Sequence, residues 1–251
     1  MLFNIFIDDL SHLLNNSGVG CHMNGISVNH LQYADDSILI APSPKGLQKL
    51  LNICQAYAME NDMIYNAKKT LCMCVRSKRF SKIDIPDVYL CGKSLDWMSK
   101  HKYLGVLLNS DFSDDCDIKR QIKSIYARGN TLIRKFGVAS DDIKVQLFQA
   151  YCSNMYCCSL WQTFKVTSFK NIIIAYNKVF KYLLKKKGIC SMSQLFVDHG
   201  VDHFKVLIRK FAHSLFVRVN NSANNIISTI VRSSYFLFDS IQYSHWVDIL
   251  Y

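Results

Sequence analysis

The sequence predicts an α/β chain in two parts, an N-terminal α/β half organised on a short β-hairpin and a mainly α-helical remainder. Three observations predict it. The first hundred residues hold short β-type runs broken by turn residues, gathered around one amphipathic helix. From Ser113 onward the apolar residues recur at helical spacing instead. The charge divides at nearly the same place. Residues 1–100 carry 10 Lys and Arg against 9 Asp and Glu, whereas residues 101–251 carry 20 against 10.

The composition is globular: half the residues are hydrophobic, and Gly and Pro are scarce. With 251 residues the chain can bury a substantial core. No apolar run approaches the roughly 18–20 residues that span a bilayer. The opening "MLFNIFIDDLSHLL" has no basic segment before its apolar part, so it does not read as a signal peptide. It reads as helix, with Asp8 and Asp9 inside it.

Next comes "GVGCHMNGISVNHLQYADDSILIA". Asn24-Gly25 is a strong hairpin signal between Val19–Met23 and Ile26–Val28, because a type I′ turn needs two positive φ values. A second hairpin has Leu31–Ala34 rising, Asp35 and Asp36 at the bend, and Ser37–Ala41 returning. Carboxylates set between apolar runs must find hydrogen bonds, a cation or a proton, since burying them bare is costly. After "PSPKG", Leu47, Leu50, Leu51, Cys54, Tyr57 and Ala58 repeat at i, i+3, i+4 spacing and predict an amphipathic helix. "LCMCVRS" and "DVYLCGKSL" read as short strands with a turn at Cys91-Gly92, and "HKYLGVLLNS" ends the α/β part.

The first helix of the remainder is "DIKRQIKSIYARGNTLIRKF", with an acidic first turn and Ile118, Ile122, Ile125, Leu132 and Ile133 on one face. A second is expected from Ser140 as N-cap through Trp161. A third, "FKNIIIAYNKVFKYLLKKK", is expected to close at Gly188. Beyond Cys190 the pattern reads as further short helices. The domain boundaries expected are 1–110, 111–188 and 189–251.

Ten cysteines at irregular spacing, mostly inside apolar stretches, read as free thiols packed like small hydrophobes, with a reducing intracellular setting expected. No Cys/His zinc spacing occurs. His199 and His203 in "HGVDH" lie one helical turn apart, but no motif glutamate sits between them, so they read as a polar helix face or loop. The basic excess clusters in "KRQIKSIYARGNTLIRKF" and "YNKVFKYLLKKKG", where aromatics interleave with cations. A solvated helix surface would show such charge. So would a surface that meets phosphates with some stacking. The candidate cations are Lys119, Arg120, Lys123, Arg128, Arg134 and Lys135.

"YADD" at a hairpin tip, followed by a helix and then by "NAKKT" and "KYLGV", resembles the reverse transcriptases of non-LTR (LINE-like) retrotransposons. "LFNIFIDDLSHLL", "AYCSNMYCCSLW" and "SLFVRVNNSANNIISTIVRSS" also resemble stretches of that family, so the likeness runs over nearly the whole chain. It implies a partial palm over 1–110, a helical thumb and connection over 111–188, and a C-terminal helical tail over 189–251. It also implies RNA-directed DNA synthesis by two-metal nucleotidyl transfer, with Mg²⁺ as cofactor and an RNA/DNA primer–template as partner. Asp35 then matches a metal ligand, with Asp36 its acidic neighbour at the metal, and Tyr33 lines the primer end. Asn66 and Lys69 match a segment whose lysine serves the leaving pyrophosphate. Tyr103, Leu104 and Gly105 match the loop that grips the primer strand.

The family also uses a third aspartate on an earlier palm strand, fingers, and a template-contacting Gln-Gly segment. All precede the point that matches "LFNIF". Asp8 and Asp9 match non-catalytic helical positions and do not replace that aspartate. The expectation is therefore a fragment starting within the palm, weak in metal binding and inactive alone, unless another segment or chain supplies the rest. An N-terminal half short of sheet partners should leave the apolar face of "LQYA" and "ILIA" partly uncovered. A non-catalytic basic remnant that binds nucleic acid, or a translated relic with no selected role, are the alternatives.

Overall fold

The computed structural model describes residues 5–23, 25–75, 84–186, 190–234 and 236. The chain forms two compact units: Met1–Ser99 with Ser222–Ser234, and Lys100–Asn221 with Tyr235–Tyr251.

The first unit opens with helix α1 (Asp8–Asn15), whose buried residues are Leu10 and Leu14. Strand β1 (Cys21–Met23) pairs antiparallel with β2 (Ile26–Val28), and β3 (His30–Tyr33) with β4 (Asp36–Leu39). The β1–β2 register leaves a two-residue turn in which Gly25 takes φ 82°; Asn24, the other half of the expected signal, lies outside the described residues. Helix α2 (Pro44–Glu60) starts where the Ser43 hydroxyl accepts the Gly46 amide hydrogen at 3.1 Å and Pro44 takes a first-turn position, needing no N–H partner. Short strands follow. β5 (Leu71–Cys72) pairs in parallel with β8 (Asp96–Trp97), and β6 (Tyr89–Leu90) antiparallel with β7 (Lys93–Ser94).

Helix α2 divides this unit's core. One side of it packs Leu50, Cys54 and Tyr57 against Ile7, Leu10 and Leu14. The other packs Leu51 against Cys72, Val88, Leu90 and Leu95. Each described ladder has only two strands, so no continuous sheet backs these clusters. What ties the hairpins to α1 is a buried amide: Asn29 Nδ2 donates to the carbonyls of Leu14 at 2.6 Å and Val19 at 2.9 Å.

The second unit begins with the hairpin β9 (Lys100–Tyr103) and β10 (Val106–Asn109). Helices α3 (Asp115–Phe136), α4 (Asp141–Tyr151), α5 (Val166–Leu183), α6 (Met192–Asp198) and α7 (Phe204–Asn220) follow, with a 3₁₀ turn at Cys158–Leu160. Their apolar faces close over one core. Phe148 lies 4.9 Å from Tyr176 and 4.7 Å from Phe180, ring centre to ring centre, and Phe180 stacks on Phe196 at 5.2 Å. Helices α3 and α5 meet so closely that a Cβ at Gly129 would clash with the Val179 side chain. Helix α8 (Asn225–Arg232) returns to the first unit and lies against β2.

Three helix ends differ from the sequence expectation. The helix from Ser140 stops at Tyr151 rather than Trp161. Ser153 bonds the Tyr176 hydroxyl, and the carbonyls of Asn154 and Tyr156 accept from Arg128 and Gln121, so this stretch satisfies its polar groups by docking on α3 and α5. The third helix runs from Val166 to Leu183. It closes when Lys185 adopts φ 52° and the Lys186 and Lys185 amides bond the carbonyls of Lys181 and Tyr182, a Schellman closure without glycine. Gly188 lies outside the described residues. Past Cys190, α7 is a full 17 residues rather than short. His199 caps the end of α6 and His203 the start of α7, so the two imidazoles sit on an interhelix turn.

Candidate nucleotidyl-transfer and nucleic-acid site

Tyr33 pairs with Asp36, so the turn of the β3–β4 hairpin consists of Ala34 and Asp35 alone. Asp36 is thus the first residue of β4, one step inside the strand that the sequence started at Ser37. Ala34 takes φ 53°, a left-handed conformation that costs a residue with a Cβ. Asp35 and Asp36 are exposed, and among the described residues neither carboxylate makes a hydrogen bond or ion pair. The turn lifts both carboxylates into water, which meets the cost that apolar flanks impose. Tyr33 is 65 % exposed beside them. Leu31, cross-strand from Ile38, is 41 % exposed.

Asn66 and Lys69 stand on a tight turn in the same unit. The Asn66 carbonyl accepts the amide hydrogens of Lys69 and Thr70, both at 3.0 Å, and its side-chain oxygen also accepts from Lys69 N at 3.3 Å. Both side chains are exposed. Ala67 in this turn and Leu39 at the end of β4 pack against the same small core, which fixes the lysine turn and the acidic hairpin to one base.

Leu104 and Gly105 form the turn of the β9–β10 hairpin in the second unit, with Tyr103, paired with Val106, as the last residue of β9 beside it. Leu104 takes φ 43° and Gly105 φ 84°, the double positive φ of a type I′ turn. A Cβ on Gly105 would stand 3.0 Å from the Tyr156 ring, so the turn rests on that ring.

The six candidate cations of α3 separate by environment. Lys119, Lys123 and Arg134 are exposed and share one face, within about 60° of helical rotation and roughly 22 Å of length. Lys135 is exposed on a different side. Arg128 donates to the carbonyls of Ser124 and Asn154. Arg120 donates from Nε to Asp117 Oδ1 at 2.7 Å and is 29 % exposed, so its guanidinium is committed inward.

Sequence reasoning passed over Asp117 and Gln121. Both are buried, at 1 % and 2 % exposure. Asp117 Oδ1 accepts the Leu107 amide hydrogen at 3.1 Å as well as Arg120, and Oδ2 accepts the Trp161 indole N–H at 2.9 Å. Gln121 Nε2 donates to the Tyr156 carbonyl at 3.0 Å. Their signal was present: positions 117, 121 and 125 continue one stripe, and polar groups on a core-facing stripe require partners.

All ten cysteines are free. Burial pushes the thiols of Cys54, Cys72 and Cys152 up to about 11 and that of Cys158 up to about 12, which keeps them protonated packing groups. Among the described residues no three His, Cys, Asp or Glu side chains gather into a metal-binding group. The exposed Asp35–Asp36 pair suits a hard cation that keeps most of its water and takes one or two carboxylates. It does not by itself fit a two-metal centre, which needs a further bridging carboxylate. Among the described residues no helix is long and apolar enough to cross a membrane.

Residues 1–108 match the family model for reverse transcriptase (RNA-dependent DNA polymerase). The matched stretch contains Tyr33, Asp35, Asp36, Asn66, Lys69 and Tyr103–Gly105; the helical remainder lies outside it. No curated protein and no solved structure matches the chain.

Proposed function

We propose that the chain derives from the reverse transcriptase of a non-LTR, LINE-like element. On this reading residues 1–110 are part of a palm, 111–188 a thumb and connection, and 189–251 a tail. The chain acts on an RNA/DNA primer–template and by itself binds nucleic acid without extending a primer. One observation carries the reading: the matched stretch 1–108 contains an exposed Asp35–Asp36 pair, Asp35 in a two-residue hairpin turn and Asp36 opening the strand after it. Bound Mg²⁺ would neutralise triphosphate charge and activate the attacking hydroxyl. Asp35 and Asp36 would hold it through their carboxylate oxygens. Lys69, exposed on its turn, offers a positive charge and a proton to a leaving pyrophosphate, and the Tyr33 ring offers a flat wall to a primer-terminal sugar or base. Two carboxylates are one short of the set for in-line transfer, so turnover requires a third from another segment or another chain.

The exposed face with Lys119, Lys123 and Arg134 supports the binding half of the proposal. Two measurements test it. Purified protein is incubated with a DNA primer on an RNA template, Mg²⁺ and deoxynucleotides; no extension is expected, and extension lost on Asp35→Ala would overturn the claim of inactivity. Affinity for the same duplex, followed by fluorescence anisotropy, should fall steeply with salt. Three phosphate contacts give a log–log slope of roughly −3. Binding indifferent to salt would remove the basic face from the reading.

A further inference from the structure

Helix α3 carries two different faces. Its outer face bears Lys119, Lys123 and Arg134, while its inner face, otherwise filled by Ile118, Ile125 and Leu132, also buries Asp117 and Gln121. Buried polar groups are costly unless their partners are well placed, so their bonds report what the helix is holding. Both groups hold the β9–β10 hairpin. Asp117 accepts the amide hydrogen of Leu107, two residues past the turn. Gln121, one helical turn further along, holds the Tyr156 carbonyl, and the Tyr156 ring is the surface on which Gly105 rests. The Trp161 indole and Arg120 fix the Asp117 carboxylate from the other sides.

We infer that Asp117 and Gln121 are positioning residues that lock the Tyr103–Gly105 turn to the cationic helix, so that turn and basic face meet a nucleic-acid backbone as one rigid surface. The inference rests on the proposed reading that this surface binds primer–template. Neither residue touches nucleic acid itself. Their effect comes from holding a strained type I′ turn, with Leu104 at φ 43°, at a set place relative to the lysines.

The charge change makes the test sharp. Asp117→Asn removes a negative charge, which by long-range electrostatics alone would strengthen binding to phosphates. A positioning role predicts weaker binding, because an amide cannot accept from Leu107, Arg120 and Trp161 together. Gln121→Met, neutral and of similar size, is the second variant. Both should lower affinity for an RNA/DNA duplex by on the order of tenfold, the equivalent of a lost hydrogen bond. The salt slope should stay unchanged, since no cation is removed, whereas Lys123→Ala should reduce its magnitude by about one. Amide hydrogen exchange supplies a readout independent of nucleic acid. In Asp117→Asn the Leu107 amide should exchange faster while the amides of α5 keep their protection.

Unchanged exchange at residues 104–107 in both variants would overturn the anchoring. Faster exchange with unchanged affinity would overturn the positioning role. A wild-type chain that binds no duplex would overturn the functional reading alone, leaving exchange to decide the anchoring.

Discussion

Leu104 and Ala34 hold left-handed backbone, φ 43° and 53°, at the tips of the two hairpins that carry the candidate turns. A side chain with a Cβ pays roughly 1–2 kcal/mol for that conformation, and asparagine tolerates it better. Leu104→Asn should therefore stabilise the chain by about 1 kcal/mol, seen as a higher urea midpoint at an unchanged slope. A loss of stability would mean that the Leu104 side chain contributes packing which outweighs the strain. Asn29 presents the reverse case. Its amide satisfies two buried carbonyls, those of Leu14 and Val19, and alanine would leave both without a donor. Asn29→Ala should cost about 1–3 kcal/mol. Neither effect was legible in the one-dimensional pattern. "YADD" told where a turn falls, but Ala34 gave no sign that the acids would begin one residue early in β4, because positive φ is normally signalled by Gly or Asn.

Helices were the most legible elements. The apolar repeat placed α3 within a few residues, and the acidic first turn of Asp115 and Asp117 marked its start. The overrun of α4 came from side-chain bonds that periodicity does not carry: Ser153 to Tyr176, and Gln121 and Arg128 to backbone carbonyls far along the chain. Nor does any local signal pair β5 with β8, parallel strands of two residues each. Charge at the start of α4 has its own consequence. Asp141 meets the buried Lys144 at 3.3 Å and Lys186 at 3.6 Å. Burial works to raise its carboxyl pKa, but hydrogen bonding and the charge of Lys144, with Lys186, outweigh burial and hold the pKa below the usual 3.8. A depressed folded pKa stabilises the fold above the unfolded value and loses that contribution as pH falls through the folded one. Asp141→Asn should thus destabilise at pH 7 by about 1 kcal/mol, since the aspartate is partly exposed but its lysine partner is not. The deficit should shrink as pH falls below the usual 3.8 and through the lower folded pKa. Urea titrations of both proteins at pH 7 and pH 3 measure the difference; a deficit that persists undiminished in acid would exclude the ion pair as its source.

The two units differ in how much apolar side chain they remove from water. Among the described residues the helical unit holds a contiguous buried cluster of 21, whereas the first unit has clusters of 6 and 5 on the two sides of α2. Burial of apolar area is the main favourable term in folding, and each described ladder of the first unit is only two strands wide, although Gln48 of α2 bonds both the amide and the carbonyl of Tyr89 on the outer edge of β6. A hairpin alone is marginal in water; it persists here through Leu39, Asn29 and the base formed by α2. Opening should therefore begin in the first unit, at a free-energy cost well below that of the helical core. Limited trypsin digestion checks this, because Lys and Arg are plentiful in both units. Early cleavage should fall within residues 1–99 and leave a resistant product spanning the helices between Lys100 and Asn221. Hydrogen exchange should rank the same way, with amides near Phe148, Tyr176 and Phe180 slowest. A protease-resistant first hundred residues with an early-cut helical unit would reverse this order and show that the divided core, with α8 against β2, is the sturdier of the two. The order also bears on activity. The acidic hairpin stands on the less stable unit and the cationic helix on the more stable one. Salt-dependent binding to nucleic acid should thus survive in mild urea after the β3–β4 amides have lost protection, and its disappearance in step with them would tie the binding surface to the acidic hairpin instead.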